Sequence, residues 1–528
     1  MRFQPTLGML RILQVVRREA MNAFLLLAVV ALLSACTSRG TPPSSTGPAA
    51  TPLAPPRYAD VNAYMEARIR LIQQERARRL GAGLVLTADE ERADRRLQEM
   101  KQAELQRTRT YFPPAHSFLR ERTKQVIAAS PVLDVMKRMP KGGILHAHGS
   151  AMGDFRWLVA HATYRADCYI YMGDDGAVVR GSLRIAGDPP GPGWRLVTDL
   201  RAAAPDKAAF DDRIYESITL GEEDLRAPHV WDEMSAAFRR TVGLLGDSSL
   251  NADYWRHMFS RLIEENVQYL ESRTTQIDDA LIAEARSRDP AFDVKFIPAA
   301  GRSNTRERMR NLLAAALENR AKDPDRIKGF DLVEEEDRTN TNLFFIEELL
   351  AARRDAERRG VTLPLYLHSG ESTWAENENL YDAVLLGAPR IGHGLALIKH
   401  PLLMDIVKSR GIAIEVCPIS NQVLGYVPDL RNHPAVYYIS AGLPVVLSPD
   451  DPAIMRHTFS EDFYVAFMAW GLDLKGLKQL AMNSLLYSTM TEDEKQRALA
   501  SWRARWETFV QWLNRSSVSP SRSPSSVH

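Results

Sequence analysis

Four histidine and aspartate residues that could bind one metal ion occur at three separate points of the sequence. His146 and His148 stand two residues apart at the end of a short apolar run, so on a strand their imidazoles project to the same face. His368 ends a later apolar run and Asp450 follows the last one. Imidazole and carboxylate groups are zinc ligands, and zinc with an open position lowers the pKa of bound water to about 7. The pattern indicates a metal-dependent hydrolase.

Two further ionisable residues accompany these ligands. Glu371 follows His368 in the string His-Ser-Gly-Glu, and His393 ends another apolar run between two glycines. A carboxyl group that can donate a proton and an imidazole that titrates near neutrality suit acid–base chemistry. The sequence therefore predicts proton transfer beside the metal.

Short apolar runs rich in β-forming residues alternate with helical stretches from residue 144 onward, which is typical of a parallel sheet buried on both faces. Eight runs close most economically into an α/β fold, a (β/α)8 TIM-type barrel, whose active sites lie at the carboxyl ends of the strands. Since every candidate residue follows such an end, we expect them to meet at one site. The runs are residues 144–148, 267–273, 294–300, 329–333, 363–368, 390–393, 412–417 and 444–448.

The spacing of the runs departs from the barrel pattern once, between the first and the second. Residues 149–266 are too many for one crossover helix, so we expect an insertion at the barrel mouth. Helices are expected after later runs, at residues 305–319, 343–359, 402–410 and 462–470.

The first 36 residues have the pattern of an export signal. Arg17 and Arg18 precede the apolar run 23–33, and Leu-Ser-Ala-Cys ends at Cys36 in the form of a bacterial lipobox. This predicts lipidation of Cys36 and an exported lipoprotein, anchored in the periplasm or at the outer membrane. An ordinary signal peptide with an incidental Cys36 remains the alternative, and Met21 is an alternative start.

The segments that flank the predicted barrel, residues 136–512, differ from it in composition. Residues 37–57 and 513–528 are predicted to be a disordered tether and tail because they are rich in Ser, Pro and Thr. Residues 58–135 are predicted to be helical. One helix is expected over 60–80, and a second helix begins at a capping box formed by Thr87 and Glu90. This helical segment could pack on the barrel or form a homodimer interface.

The balance of positive and negative charge argues against nucleic acid as a partner. Lys and Arg total 67 and Asp and Glu total 66, so no global basic field attracts nucleic acid, and a small-molecule substrate is the better expectation. Cys168 and Cys417 lie in no CxxC spacing and are expected to be buried. His400, His433 and His457 are expected to be solvated or to cap local backbone.

Five strings resemble the adenosine deaminase family of the metallo-dependent hydrolase superfamily. They are most similar to its secreted branch, the type 2 adenosine deaminases, also called adenosine deaminase-related growth factors. The resemblance covers roughly residues 58–512. The strings are residues 139–148, 368–371, 390–394, 415–422 and 448–452.

The resemblance implies one Zn²⁺ per chain and hydrolytic deamination of adenosine, with 2′-deoxyadenosine as a further candidate substrate. Glu371 would protonate the purine N1, His393 and Asp450 would orient and deprotonate the attacking water, and Asp451 would hydrogen-bond N7. The implied zinc ligands are His146, His148, His368 and Asp450.

Three positions leave the substrate open. Glu334 stands where the family has a glycine whose N–H meets the purine, and Gly149 stands where the secreted branch has an aspartate that contacts the ribose. Trp231 resembles a tryptophan that lines the nucleoside pocket, although core packing would explain it equally well. Another 6-amino or 6-alkylamino purine or nucleoside is the alternative substrate. A nucleoside-binding or signalling protein without turnover is a third hypothesis.

Overall fold

The computed structural model describes residues 56–108, 112–172, 181–227, 229–275 and 277–516. The predicted export signal with Cys36, and residues 37–55 of the predicted tether, lie outside the described residues. Within the described part of the chain, none of the helices combines the length and the apolar character that crossing a membrane requires.

The chain divides into two compact units, Met1–Arg70 and Leu71–His528. In the first unit the described residues 56–70 contain most of helix α1, which runs over Val61–Arg76. The sequence predicts a helix over 60–80, and the observed helix ends four residues earlier, at Arg76. None of the residues of α1 is buried.

The second unit contains all twelve strands of the described residues. They are β1 (Gly142–Ile144), β2 (Cys168–Tyr171), β3 (Leu183–Ile185), β4 (Trp194–Leu196), β5 (Val267–Ser272), β6 (Asp293–Phe296), β7 (Ala299–Gly301), β8 (Asp331–Val333), β9 (His368–Ser369), β10 (Arg390–His393), β11 (Ala413–Val416) and β12 (Val445–Leu447).

Nine of these strands form the predicted (β/α)8 barrel. Parallel pairs join β1 to β5 and β5 to β6, then β7 to β8, and then β9 through β10 and β11 to β12. Parallel bridges between Phe296 and Ile327, Phe330 and Leu365, and Ala147 and Asp450 complete the ring. The barrel prediction is confirmed, and its closing bridge brings the first and eighth strands together at the predicted site.

The third predicted strand, residues 294–300, is divided into β6 and β7. Pro298 lies in the gap and has no N–H to give to the ladder, although its carbonyl accepts from Asp331 N at 3.1 Å. The first strand is also shorter than predicted, but its ladder continues, since Arg273 N donates to Ala147 O at 2.7 Å.

Helix α1 spans the boundary between the two units, and all the other α-helices of the described residues belong to the second unit. They are α2 (Ala88–Arg107), α3 (Glu121–Ala128), α4 (Pro131–Arg138), α5 (Phe155–Ala162), α6 (Val197–Ala203), α7 (Lys207–Ser217), α8 (Val230–Leu245), α9 (Ser248–Glu264), α10 (Asp279–Arg288), α11 (Arg306–Lys322), α12 (Ile346–Arg358), α13 (Asn379–Leu385), α14 (Pro401–Arg410), α15 (Pro418–Val423), α16 (Pro434–Ala441), α17 (Phe459–Ala469), α18 (Leu474–Leu486) and α19 (Glu492–Arg515). Single 3₁₀ turns lie at Pro113–Ala115, Gly149–Ala151, Asp224–Arg226, Leu343–Phe345, Leu395–Lys399 and Leu430–Asn432.

The predicted start of α2 agrees with the structure, whereas the predicted boundary at the end of α19 does not. Thr87 and Glu90 form the predicted reciprocal capping box at the start of α2. The predicted disordered tail begins too early, because residues 513–515 belong to α19. Leu513 is fully buried there, so apolar packing extends the helix past the predicted boundary.

The insertion after the first strand is a small domain-like layer in its own right. Strands β3, β2 and β4 form an antiparallel sheet, and helices α5 to α9 surround it. Leu220 N donates to Ile454 O at 2.8 Å, which joins the insertion to the loop after β12. Cys168 in β2 and Cys417 after β11 are both free and buried, as predicted.

Gly142 at the start of β1 offers a clean stability prediction. Its φ is 75°, and a Cβ there would lie 2.4 Å from Ser484 Oγ and 2.6 Å from Ala481 O. We expect Gly142→Ala to lower the free energy of unfolding by more than the roughly 1–2 kcal/mol of left-handed strain alone. Gly411→Ala is the matched control, since φ is 64° and nothing lies within 4 Å. Equal losses in the two variants, measured by denaturant unfolding, would contradict the predicted clash.

Candidate active site

The four predicted metal ligands converge at the carboxyl ends of the barrel strands. One possible ligand atom from each of His146, His148, His368 and Asp450 lies within 4.8 Å of all the others. Asp450 Oδ1 is 3.4 Å from His146 Nε2 and 3.2 Å from His148 Nε2. The ligands come from the first, fifth and eighth strands, so closure of the barrel brings them together.

Two buried carboxylates orient the histidines from behind. Glu415 Oε2 is 2.7 Å from His146 Nδ1, and Asp331 Oδ2 is 2.8 Å from His368 Nδ1. Each imidazole therefore donates its Nδ1 proton outward and turns a free Nε2 toward the centre. Sequence reasoning assigned no role to either carboxylate. A charged residue inside an apolar strand run was the available signal, because buried charges need partners.

Arg273 joins these two carboxylates. Its side chain is fully buried, with Nη2 2.5 Å from Glu415 Oε2 and Nε 3.2 Å from Asp331 Oδ2. A third donor, Nη1, bonds to Leu145 O beside His146. One guanidinium thus supports the partners of both histidines, and sequence analysis missed it entirely.

The donor set fits a single divalent cation. His146 Nε2 and Asp450 Oδ1 are buried and have no hydrogen-bond partner among the described residues, which is the pattern of atoms that await an ion. Burial alone would raise the pKa of Asp450, but the close imidazoles of His146 and His148 outweigh it and hold that pKa well below its usual value. Imidazole nitrogens with one carboxylate are the ligands of catalytic zinc sites.

Glu371 and His393 lie beside the ligands and are almost fully buried. Burial, reinforced by the negative charge of Asp450, raises the pKa of Glu371 well above its ordinary value, which favours the protonated form of its carboxyl. Its backbone N–H donates to Glu336 Oε1 at 2.9 Å, which fixes the loop. Glu371 Oε1 has no hydrogen-bond partner in the described part of the chain, and its proton is available to a substrate.

Backbone strain is concentrated at this site. His393, Asp450 and Glu334 have φ values of 59°, 65° and 87°, a region that residues other than glycine seldom occupy. Three site residues in this region indicate that the surrounding barrel imposes their conformation.

A cavity of about 830 Å³ opens above the ligands. This volume falls within the range of small-molecule sites. Residues that line it include His148, Trp231, Met234, Phe238, Glu334 and Asp451. Asp451 is 4% exposed, and its Oδ1 has no partner among the described residues, so it too is free to meet a ligand.

Trp231 both packs and faces the pocket. It lies in the first turn of α8, is half-buried, and donates from Nε1 to Tyr426 Oη at 2.8 Å. Two ion pairs beside it tie α8 to the loop after β8: His229 with Glu335 at 3.1 Å and Asp232 with Arg338 at 2.8 Å. The insertion therefore covers part of the pocket mouth.

Glu334 does not obstruct the pocket floor. Its carboxylate turns toward the end of β7 and accepts from Ser303 N at 2.8 Å. Gly301 makes room for it, since a Cβ there would lie 2.2 Å from Glu334 Oε1. At Gly149, a Cβ would lie 2.8 Å from the Trp255 ring and 2.9 Å from Ser272 Oγ, so that position has no space for an aspartate.

His400, His433 and His457 were predicted to be solvated or to cap local backbone; His433 has the capping role, whereas His457 has neither. His433 is 2% exposed, because its ring packs on Trp470 and hydrogen-bonds Asn421; it also caps α16, the other predicted role. His457 is 8% exposed and pairs with Asp462 at 3.1 Å. Only His400 is partly accessible, with Nδ1 3.3 Å from Tyr381 Oη.

Comparison with known proteins agrees with this geometry. The family model described as adenosine deaminase matches residues 268–503, and the model described as Adenosine/AMP deaminase N-terminal matches residues 56–136. A crystal structure of an amidohydrolase with bound Zn from Burkhoderia ambifaria shares the fold, with a TM-score of 0.52 and 20% identity over 73% of this chain and 95% of that one.

Curated relatives extend the similarity over most of the chain. Adenosine deaminase 2 from Sus scrofa is 36% identical over 85% of this chain and 94% of its own length. Adenosine deaminase 2 from Homo sapiens is 35% identical over 84% and 93%. With this identity over nearly the whole of both sequences, the chain belongs to the adenosine deaminase family.

Proposed function

We propose that this protein is a zinc-dependent adenosine deaminase that converts adenosine and water to inosine and ammonia. One observation carries the proposal: the buried carboxyl of Glu371, whose pKa is raised, lines the same cavity as the candidate metal ligands His148, His368 and Asp450. Hydrolysis at C6 of a purine needs both a proton donor at the ring and an activated water. The curated relatives named adenosine deaminase support the substrate.

The resemblance to the adenosine deaminase family supports the role proposed for each residue. Glu371 donates its proton to N1 of the ring, which makes C6 electrophilic, and Asp451 hydrogen-bonds N7. His393 and Asp450 orient the attacking water and take its proton. His146, His148, His368 and Asp450 would hold the zinc, and the chemistry that zinc supplies there is activation of water near neutral pH.

The test is an assay of adenosine hydrolysis with metal analysis on the same sample. We expect inosine and ammonia in equal amounts, one zinc per chain, and loss of turnover after chelation that added zinc restores. If the zinc-loaded protein releases no inosine, the proposal is wrong. That outcome would favour a nucleoside-binding or signalling protein, and calorimetric titration with adenosine would then detect binding without turnover.

A second candidate is a deaminase of another 6-amino or 6-alkylamino purine or nucleoside. Glu334 in the pocket lining and the absence of space for an aspartate at position 149 favour it, because the family resemblance expects a glycine near the purine and an aspartate near the sugar at these positions. A panel comparing kcat/KM for adenosine, 2′-deoxyadenosine, adenine and N6-methyl analogues separates the candidates. A 6-alkylamino compound that exceeds adenosine in kcat/KM would establish the second.

Trp231 is expected to act on substrate binding. Trp231→Phe keeps an aromatic ring in the pocket but removes the N–H that reaches Tyr426 Oη. Loss of this hydrogen bond, worth about 1 kcal/mol, removes a contact that holds the ring in the pocket wall, so we expect at most a severalfold rise in KM for adenosine, with kcat little changed. Steady-state kinetics test this, with Trp374→Phe as the control because Trp374 is 64% exposed. A fall in kcat alone would contradict the assignment.

The predicted attachment and assembly also remain proposals. Lipidation of Cys36 would hold the enzyme at the membrane on the tether of residues 37–57, and incorporation of labelled palmitate that Cys36→Ser abolishes would support it.

The helical segment 58–135 would form a homodimer. Sedimentation of the purified protein at several concentrations decides between a dimer and a monomer.

A further inference from the structure

A buried chain of hydrogen bonds leads away from His393 and ends on a backbone amide. Asn421 Nδ2 lies 3.2 Å from His393 Nδ1, Asn421 Oδ1 lies 3.1 Å from His433 Nε2, and His433 Nδ1 accepts from Ala435 N at 3.0 Å. Asn421 is fully buried, and His433 and His393 are 2% and 1% exposed. Neither Asn421 nor His433 belongs to the proposed catalytic or metal-binding residues.

The backbone amide at the end of this chain of hydrogen bonds determines which atom donates in each of the bonds. Ala435 N–H can only donate, so His433 Nδ1 must accept and cannot carry a proton. Burial lowers the pKa of His433 to about 3, which keeps the ring neutral, and a neutral ring without a proton on Nδ1 carries it on Nε2.

The same argument, applied next to Asn421, determines which nitrogen of His393 accepts a hydrogen bond. Since His433 Nε2 donates, the Asn421 atom that faces it must be the carbonyl oxygen, which also settles the orientation of the amide. The Asn421 amide nitrogen then donates to His393 Nδ1, and that nitrogen must accept. Glu371 Oε1 is 3.5 Å from Nδ1 and makes no hydrogen bond with it, so among the described residues nothing opposes this arrangement.

We propose that Asn421 and His433 are positioning residues that hold the single proton of His393 on Nε2. That nitrogen faces Asp450, 3.9 Å from Oδ2, on the side of the metal ligands. The inference rests on the proposed function and sharpens it. His393 would orient the attacking water as a hydrogen-bond donor, so that, of the two residues proposed above to take the proton of the water, the Asp450 carboxylate alone would receive it.

The direct test is the tautomer of His393 in the wild-type, zinc-loaded protein. Selective ¹⁵N labelling of the 12 histidines distinguishes rings protonated on Nε2 from rings protonated on Nδ1, and the signal missing from His393→Gln identifies the residue. We expect protonation on Nε2 for both His393 and His433. A proton on Nδ1 of His393 overturns the proposal. This measurement stands even if the protein fails to deaminate adenosine, so the two failures are distinguishable.

Asn421→Asp tests the consequence for catalysis. An aspartate is nearly isosteric but accepts from both sides, so His393 Nδ1 must now donate and Nε2 loses its proton. By analogy with other enzymes in which a wrong tautomer is imposed, we expect kcat to fall at least about 100-fold. KM for adenosine and zinc content should stay near wild type. A kcat within about threefold of wild type would contradict the proposed role.

Variants of His433 separate positioning from packing. His433→Gln retains a side-chain N–H that can reach Asn421 Oδ1, whereas His433→Leu keeps the volume but removes the donor. We expect His433→Gln to keep much more of the wild-type kcat than His433→Leu. His457→Leu is the matched control, because His457 is a buried histidine that pairs with Asp462 and takes no part in the hydrogen bonds between His393, Asn421 and His433. Equal losses of kcat in His433→Gln and His433→Leu would reduce His433 to a packing residue and overturn its part of the proposal.

Discussion

Replacement of Glu371 by glutamine is expected to lower kcat by about 10³-fold, within the range that a positioned general acid contributes. The glutamine amide has nearly the shape of the carboxyl but cannot release a proton to the ring. Glu371 is not one of the four proposed metal ligands, so zinc content should remain at the wild-type level. Single-turnover kinetics with adenosine, together with metal analysis, measure both quantities.

The pH dependence follows from the protonation state of Glu371. Burial and the charge of Asp450 raise the pKa of this carboxyl, and only the protonated form can donate. The kcat/KM of the wild type should therefore fall as pH rises through that pKa, and the fall should be absent from the residual activity of Glu371→Gln. Glu376→Gln is the control, because Glu376 is an exposed residue of the same loop. If Glu371→Gln turns over within about threefold of wild type, Glu371 is not the proton donor.

Arg273→Met is expected to weaken zinc binding by about 10- to 100-fold, the usual effect of disturbing the partners of metal-bound histidines. The guanidinium contacts both Asp331 and Glu415, which hold the Nδ1 atoms of His368 and His146. Methionine preserves most of the volume but leaves two buried carboxylates without their shared cation. The free energy of unfolding of the metal-free protein should fall by about 3–5 kcal/mol.

Two measurements separate these effects of Arg273. Competition with a chelator of known affinity reports zinc binding, and denaturant unfolding of the metal-free protein reports stability. Arg201→Met is the matched control: Arg201 is 5% exposed in the insertion and donates to Asp211 Oδ1 at 2.8 Å. We expect it to lose stability but to bind zinc normally. Similar zinc affinities in the two variants would show that Arg273 acts only on the stability of the fold.

The barrel and its metal ligands were predictable because their signals are local. Apolar runs separated by helical periodicity identify strands, and a closed parallel barrel places the residues after every strand at one end. His146, His148, His368 and Asp450 therefore had to meet once the runs were recognised. The errors at strand and helix ends have local causes as well, such as Pro298 between β6 and β7 and the buried Leu513 in α19.

The supporting residues could not be predicted, because their partners are distant in the sequence. Arg273 and Glu415 are 142 positions apart, and Asp331 and His368 are 37 apart. Which carboxylate lies behind which imidazole depends on strand register and side-chain rotamers, which no hydrophobic pattern encodes. The conformation of Glu334 is of the same kind, since the space beside Gly301 decides where its carboxylate lies.

By itself, the sequence determined the family, the barrel and the types of residue at its mouth, since local patterns and motifs carry that information. Only the tertiary structure decided the direction in which each group points and the atom on which a proton sits. Asn421 and His433 illustrate the division: the first lies in a recognised string and the second was expected to be solvated or to cap a helix. Their relation to His393 exists only because separate segments of the chain meet in a buried space where every polar atom needs a partner.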